Sequence, residues 1–242
     1  MRTPYRLHQL CRAVAGIVLL LAGNPAHAQD GVNRALQLPD GSGYVELPPN
    51  IFASLDAATV EGWVRWDGER SVQRFFDFGA KDNECYVRRN AVSGLNFLIT
   101  GPDGTRHRIE VAGILKEGEW CHVAASTGPD GASLYFNGTL VGRSSFTGSL
   151  SGVAGTHNYL GRSNYRPNQV EALTGAMDQV RVWDHQRSAE QIQANMFARL
   201  KGDEDGLVGL WDFDDGTPAG GGPDGHHGTP VGVTEFIDME LP

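Results

Sequence analysis

The chain has 242 residues, 32 of them glycine, and its 29 Asp and Glu outnumber 20 Lys and Arg for a net charge of −9. That balance disfavours nucleic acid and anionic membrane surfaces as partners and suits calcium, neutral glycans or basic protein patches. Glycines set mostly between apolar runs point to many tight turns and little helix.

Arg2, Arg6 and Arg12 precede an apolar run at 13–22, and Ala26-His27-Ala28 follows it. This is the pattern of an export leader, residues 1–28, cleaved after Ala28. The apolar run falls short of the ~20 residues that span a bilayer, so no membrane insertion is expected after cleavage. A secreted, extracellular or periplasmic protein is expected. Losing three Arg and no acid takes the charge from −9 to −12. The remaining residues 29–242 suit one large β-sandwich. Cys85 and Cys121 survive processing, and an even pair in an oxidising compartment suggests a disulfide, provided the side chains face one another. The other reading is two small buried residues.

In chain order, residues 36–47 (LQLPDGSGYVEL) predict an opening hairpin turned by Asp40-Gly41-Ser42-Gly43. Ala58–Trp66 (ATVEGWVRW) is β-rich, and Pro102-Asp103-Gly104 is a turn in which Pro fixes φ and Gly accepts a positive one. Residues 118–125 (GEWCHVAA) form the next run, and Pro129-Asp130-Gly131 repeats the turn chemistry. Residues 133–142 (SLYFNGTLVG) hold Asn137-Gly138 between two apolar triplets, a type I′ hairpin signal. Residues 159–164 (YLGRSN) and Gly175–Trp183 (GAMDQVRVW) complete the strand series. One helix is expected at 188–200, where Ser188 and Gln191 make a capping box and Ile192, Met196 and Leu200 form one apolar stripe. Beyond it, 206–213 (GLVGLWDF) reads as a strand, 214–225 as a long turn and 227–233 as a short strand.

The order and spacing of these segments resemble the LamG-like jelly-roll domain of the concanavalin A-like lectin/glucanase superfamily, over about residues 35–195. The resemblance implies an all-β fold, a two-sheet antiparallel jelly-roll sandwich with one short helix toward the C-terminal side. The sandwich is placed at residues 31–200. Residues 201–242 resemble a segment that borders such domains elsewhere, and they either complete the same sandwich, the favoured reading, or are the stub of a second repeat.

Asp178 shares parity with Val180 and Val182, which predicts an inward-facing carboxylate in need of turn amides, a basic partner or a metal. The resemblance implies a calcium site built from Asp178, Asp40 and the Gly41 carbonyl, tying the two ends of the domain together. Arg181 and Trp183 hold the opposite parity, as do Glu61, Trp63 and Arg65 in their strand, so Glu61 and Arg181 are expected to pair beneath the two tryptophans. A sugar-stacking role for those tryptophans is the rival.

Loops cluster at the rims of a sandwich, and one of them carries Asn158, Arg162, Asn164, Tyr165, Arg166 and Asn168, groups able to hydrogen-bond and stack a sugar. Arg106, His107 and Arg108 form a basic patch, most simply a polar strand face. The E-x-D-x-x-E strand of the superfamily's glucanases has no match, nor is there a G-x-S-x-G elbow or an H-E-x-x-H helix. With those motifs missing, the resemblance implies a non-catalytic binding module for a glycan or an extracellular protein, with calcium as its one implied cofactor. A diverged carbohydrate-active enzyme (glycoside hydrolase or polysaccharide lyase-like) would instead show two carboxylates in a groove. A structural or adhesive surface protein would show a flat face.

Overall fold

The computed structural model describes residues 32–68, 70–91, 93–153, 155–165 and 171–240; the expected leader lies outside the described residues. The first strands are β1 (Arg34–Leu38), β2 (Tyr44–Leu47), β3 (Ala58–Trp66), β4 (Val72–Ala80) and β5 (Asn83–Asn90). They are followed by β6 (Gly94–Thr100), β7 (Arg106–Val111), β8 (Trp120–Thr127), β9 (Ala132–Phe136) and β10 (Thr139–Ser144). Then come β11 (His157–Leu160), β12 (Gly175–Trp183), helix α1 (Ala189–Asn195), β13 (Leu207–Trp211), β14 (Thr229–Val231) and β15 (Glu235–Asp238).

An eight-stranded sheet runs β10-β9-β8-β3-β12-β1-β15, with β13 also on β12, and a seven-stranded sheet runs β14-β2-β11-β4-β5-β6-β7. Every pairing is antiparallel. Alternation sends Val60, Val64, Val123, Leu134 and Val182 of the first sheet, and Phe76, Phe78, Val87, Phe97 and Leu160 of the second, into one shared core. Asn137 and Gly138 take positive φ, 47° and 73°, between β9 and β10, as the hairpin signal requires.

The opening turn differs from expectation. β1 pairs with β12 and β15, whereas β2 pairs with β11 and β14. Asp40–Gly43 therefore carries the chain from one sheet to the other and closes no hairpin. The tail joins both sheets: β13 and β15 extend the first, and β14 extends the second.

The expected disulfide is corrected. Cys85 and Cys121 are free and buried in the core. Cys85 sits in β5 of one sheet and Cys121 in β8 of the other. Stacked sheets lie about 10 Å apart, beyond the roughly 7 Å that a bridged Cα pair allows. Burial raises both thiol pKa values, so both cysteines remain protonated, apolar packing groups. Thiol titration of the unfolded chain should find Cys85 and Cys121 free without reductant; a bridge between them would contradict the two-sheet placement.

A β-bulge overturns the expected inward Asp178. Asp178 lies opposite Trp63 but Arg181 lies opposite Glu61, so two residues of β12 face Gly62 alone. Gln179 takes φ of 51° there. Met177 and Val180 both reach the core, and Asp178 turns to the outer face. A Cβ on Gly62 would lie 3.0 Å from Phe75 Cζ and 3.1 Å from Val180 Cα, so glycine lets the opposite sheet pack over the bulge.

The outer face of the eight-stranded sheet is covered. Ile192 of α1 packs on Ala124 and Tyr135, and Leu200 packs on Trp183, Leu207 and Leu210. The capping box of Ser188 and Gln191 is formed, but the helix ends at Met196, short of the expected Leu200. Arg181 explains the early stop, since it donates to the carbonyls of Asn195 and Ala198 and so pins the chain after the last turn. Beneath the helix, Glu61 receives hydrogen bonds from Arg187 and from Trp183 Nε1 (2.9 Å), and Arg181 lies 3.8 Å away. All four residues are buried. Trp63 Nε1 donates to Met196 O (2.8 Å), which makes both tryptophans packing and anchoring groups. Glu61→Gln leaves two buried guanidinium groups uncompensated and should cost about 3–5 kcal/mol in urea unfolding. A loss under ~1 kcal/mol would contradict the role assigned to Glu61.

Candidate functional site

Among the described residues, the outer face of the seven-stranded sheet carries no such cover. Its register aligns Glu46, Tyr159, Asp77, Tyr86, Leu98 and Arg108 across β2, β11, β4, β5, β6 and β7. A second row brings Arg74, Arg88, Asn96 and Glu110 together. On this face lies a depression of about 150 Å³ lined by Arg74, Glu84, Tyr86, Arg88, Arg106, Arg108, Tyr165 and Glu171.

Arg74 forms its floor. The residue is buried, its Nε donates to Asp77 Oδ2 (3.0 Å), and its Nη2 donates to Ser163 Oγ (3.2 Å) and meets Glu171 Oε2 at 2.9 Å. Its guanidinium stands 3.7 Å from the centre of the Tyr86 ring, and Arg88 approaches the same ring at 5.3 Å. Arg74 Nη1 and Glu84 Oε2 are buried and have no hydrogen-bond partner. Glu84 is 2 % exposed, and Arg106 is its nearest cation, 3.9 Å from Oε1. Tyr165, 37 % exposed, overhangs the depression with Lys81 and Arg106 near its ring. The site therefore offers a buried donor, a buried carboxyl oxygen and an accessible aromatic face.

Burial, and then the charge of Asp77, lifts Glu84 to about 7 against the pull of Arg74 and Arg106. Burial likewise lifts Asp77 to about 6 despite Arg74 and Asn164. Both carboxyls thus titrate close to neutrality, as groups at binding and reacting sites often do.

The six rim-loop residues divide. Tyr165 reaches the depression, and Arg162 lies beside it over the Tyr44 and Tyr159 rings (4.3 and 5.2 Å). Asn164 is a brace: its backbone and side-chain amides donate to both Asp77 oxygens and to the Asp77 carbonyl. Asn158 is corrected from a ligand contact to a buried support, because it shares the core parity of Phe78 and donates to Pro48 O (2.9 Å). Arg166 and Asn168 lie outside the described residues. Arg74, Glu84, Tyr86, Arg88 and Glu171 are new to the site; Arg106 and Arg108 were legible only as a polar strand face. The available signal was alternation, Glu84-x-Tyr86-x-Arg88 in β5 and Arg106-x-Arg108 in β7.

The implied calcium ligands do not assemble. Asp178 accepts from the Gln179 amide (2.7 Å) and from Asn33 Nδ2 (3.2 Å). Asp40 accepts from the Ser42 amide, and the Asp40 carbonyl accepts from Arg70. β1 sets Leu36 opposite Met177 and Leu38 opposite Gly175, so Asp40 continues away from Asp178. Gly41 goes with Asp40; a Cβ there would run into the Arg70 guanidinium, a cation where a metal would need room. This donor set does not fit a calcium ion. Among the described residues no group of three or more His, Cys, Asp and Glu is arranged to hold a metal ion.

A laminin G model described as the concanavalin A-like lectin/glucanases superfamily matches residues 39–193. The chain belongs to that superfamily. No curated protein matches its sequence. Among solved structures, a Bacteroides ovatus protein described as a candidate carbohydrate-binding protein superposes with a TM-score of 0.65 at 19 % identity, covering 88 % of this chain and 61 % of that one. This superfamily member thus spans under two thirds of that protein's length. The CBM40 module of a Ruminococcus gnavus sialidase, solved with α2,3-sialyllactose, superposes at 0.58 with 14 % identity over 69 % and 99 % of the two chains. Domain 4 of an extracellular arabinanase from Geobacillus stearothermophilus, solved with arabinotriose, gives 0.53 at 20 % identity over 67 % and 76 %. These likenesses establish the jelly-roll fold.

On the other sheet, burial and the neighbouring Asp214 and Asp212 lift Asp178 to about 8 despite its two hydrogen bonds. Asp77, Glu84 and Asp178 thus hold protons in the folded superfamily domain that the unfolded chain has already released above its ordinary carboxylate pKa. Stability contributed by them falls as pH rises from about 4 toward about 8 and is level above that. The unfolding midpoint should be several degrees lower at pH 8.5 than at pH 5, and Asp178→Asn should flatten part of the slope. A midpoint that climbs over this range would contradict the burial of these carboxyls.

Proposed function

We propose that the chain is an exported, non-catalytic module that binds a glycan on the outer face of its seven-stranded sheet. One observation carries this reading: Arg74 Nη1 and Glu84 Oε2 are buried without partners in a depression overhung by Tyr165. An unsatisfied buried polar atom costs about 1–3 kcal/mol, a cost that a ligand's hydroxyl or oxyanion removes on binding. A sugar supplies such groups around a ring whose apolar side can lie against Tyr165, the usual division of labour in a concave site. Fold neighbours solved with sialyllactose and arabinotriose support the same class of ligand, and the leader pattern at 1–28 supports export. An extracellular protein partner fits less well, since the depression is small and polar where a protein hot spot is broad and apolar at its centre.

Hydrolysis of the glycan is the second reading, because Glu84 has the raised pKa of a general acid. Glycoside hydrolysis generally requires a second available carboxylate. Asp77 is fully buried with both oxygens held by Arg74 and Asn164, and Glu171 is paired with Arg74. That arrangement favours binding over turnover.

Tyr165→Ala should weaken the binding found on a glycan array about tenfold or more, given aromatic contacts of order 1–3 kcal/mol. Its melting temperature should stay within a degree or two, since the ring is exposed. Full binding retained by Tyr165→Ala, or release of free sugar from the bound glycan, would overturn the assignment.

A further inference from the structure

The charges around the depression narrow the class of glycan, a step that rests on the glycan-binding reading of this site. We infer that the site selects a carboxylated sugar unit, whose anion is held by Arg88, Arg108 and the free Nη1 of Arg74. Four of the eight lining residues among those described are arginines, on a protein whose net charge is −9. Two of the four are already neutralised locally. Arg74 meets Asp77 and Glu171, and Arg106 meets Asp82 at 2.8 Å.

Arg88 and Arg108 differ from them. Arg88 donates to the neutral Asn96 amide oxygen (3.2 Å) and leans on Tyr86, and among the described residues neither Arg88 nor Arg108 is ion-paired with a carboxylate. β5 and β7 face them outward on the same side of the sheet as Tyr86, which therefore lies amid three guanidinium groups. Unpaired arginines separated by a sheet's regular spacing offer fork-shaped donors, the geometry that planar carboxylates accept in pairs.

The protein's overall acidity does not oppose this. Charges beyond about 8 Å are screened at physiological ionic strength, so the ligand responds to the lining residues. Glu84, held only at 3.9 Å by Arg106 and with its Oε2 unpartnered, is lifted by burial to about 7, so near neutrality a large share of it carries a proton that can be donated to the ligand. A depression of about 150 Å³ is below the ~300–1,000 Å³ of pockets that enclose a whole ligand, so it takes one charged substituent and part of its ring, with the rest of the glycan outside.

Matched probes test this with the intact chain: sialyllactose against lactose, and trigalacturonate against its methyl ester, by isothermal titration calorimetry. The carboxylated member of each pair should bind at least about tenfold more tightly, and raising salt from about 50 to 500 mM should erode that advantage. The double variant Arg88→Gln, Arg108→Gln should bring the ratio close to one while its melting temperature holds, since both side chains lie on the outer face. Equal affinity for the two members, a ratio that survives in the double variant, or preference for sulfated lactose over both carboxylated probes would overturn the inference. Equal binding that Tyr165→Ala abolishes would remove carboxylate selection alone and leave the glycan-binding site standing. No binding of any acidic or neutral glycan would remove both.

Discussion

A carboxylate taken out of water must be neutralised where it lies, and Glu61 in the middle of β3 sets the terms for one whole side of this molecule. It accepts from Arg187 and Trp183 and stands beside Arg181. The Nη groups of those arginines donate further, to the carbonyls of Gln191, Asn195 and Ala198 and the side-chain oxygen of Asn195. Burial of one charge thereby draws α1 and its flanking loop onto the eight-stranded sheet. The desolvation of three ions is expensive, and these contacts offset much of it while Glu61 Oε2 and Arg181 Nε stay unpartnered. His122, buried in the same layer beside Arg181 and Arg187, has its pKa lowered to about 3 and stays neutral, which spares the layer a third cation.

The two faces of the sandwich are consequently unlike. One is sealed by a helix whose apolar side is nearly used up by Ile192, with Trp63 and Trp183 tied down beneath it. The other keeps its polar groups open: Tyr86 among arginines, Glu84 half-satisfied, Tyr165 projecting from the loop after β11. The same physics operates on both faces with different outcomes. Both layers leave buried polar atoms without partners, Glu61 Oε2, Arg181 Nε and His122 Nδ1 under the helix and Arg74 Nη1 and Glu84 Oε2 on the other face, but the second pair belongs to residues that line a depression a ligand can enter.

Much of the architecture could be read from local chemistry. The Asn137-Gly138 turn, the capping box at Ser188 and Gln191, and the matched parity of Glu61 and Arg181 depend on neighbours within a few residues or on strict alternation, and the structure bears each one. The site was less legible. Arg162 and Tyr165 were found because a loop bunches polar and aromatic residues in sequence, but so were Asn158 and Asn164, whose amides are engaged with Pro48 and Asp77. Composition says which groups a loop owns, not which of them already have a partner. Arg74, Glu84, Tyr86, Arg88 and Arg108 come from three strands and become neighbours only through cross-strand register.

Alternation, turn residues and caps by themselves determined the all-β class and most strand positions, because these signals act over short stretches of chain. The superfamily came from the resemblance of their order and spacing to a known family, which the family model bears out over residues 39–193. Tertiary structure alone decided which cysteines could meet, where β12 bulges and which face stays open. Each of those depends on sheet pairing and on competition for buried partners. A bulge at Gln179 reverses the facing of Asp178 without altering a residue, and sheets about 10 Å apart keep Cys85 from Cys121. Such outcomes belong to distances between segments far apart in the chain, and parity counted along one strand cannot supply them.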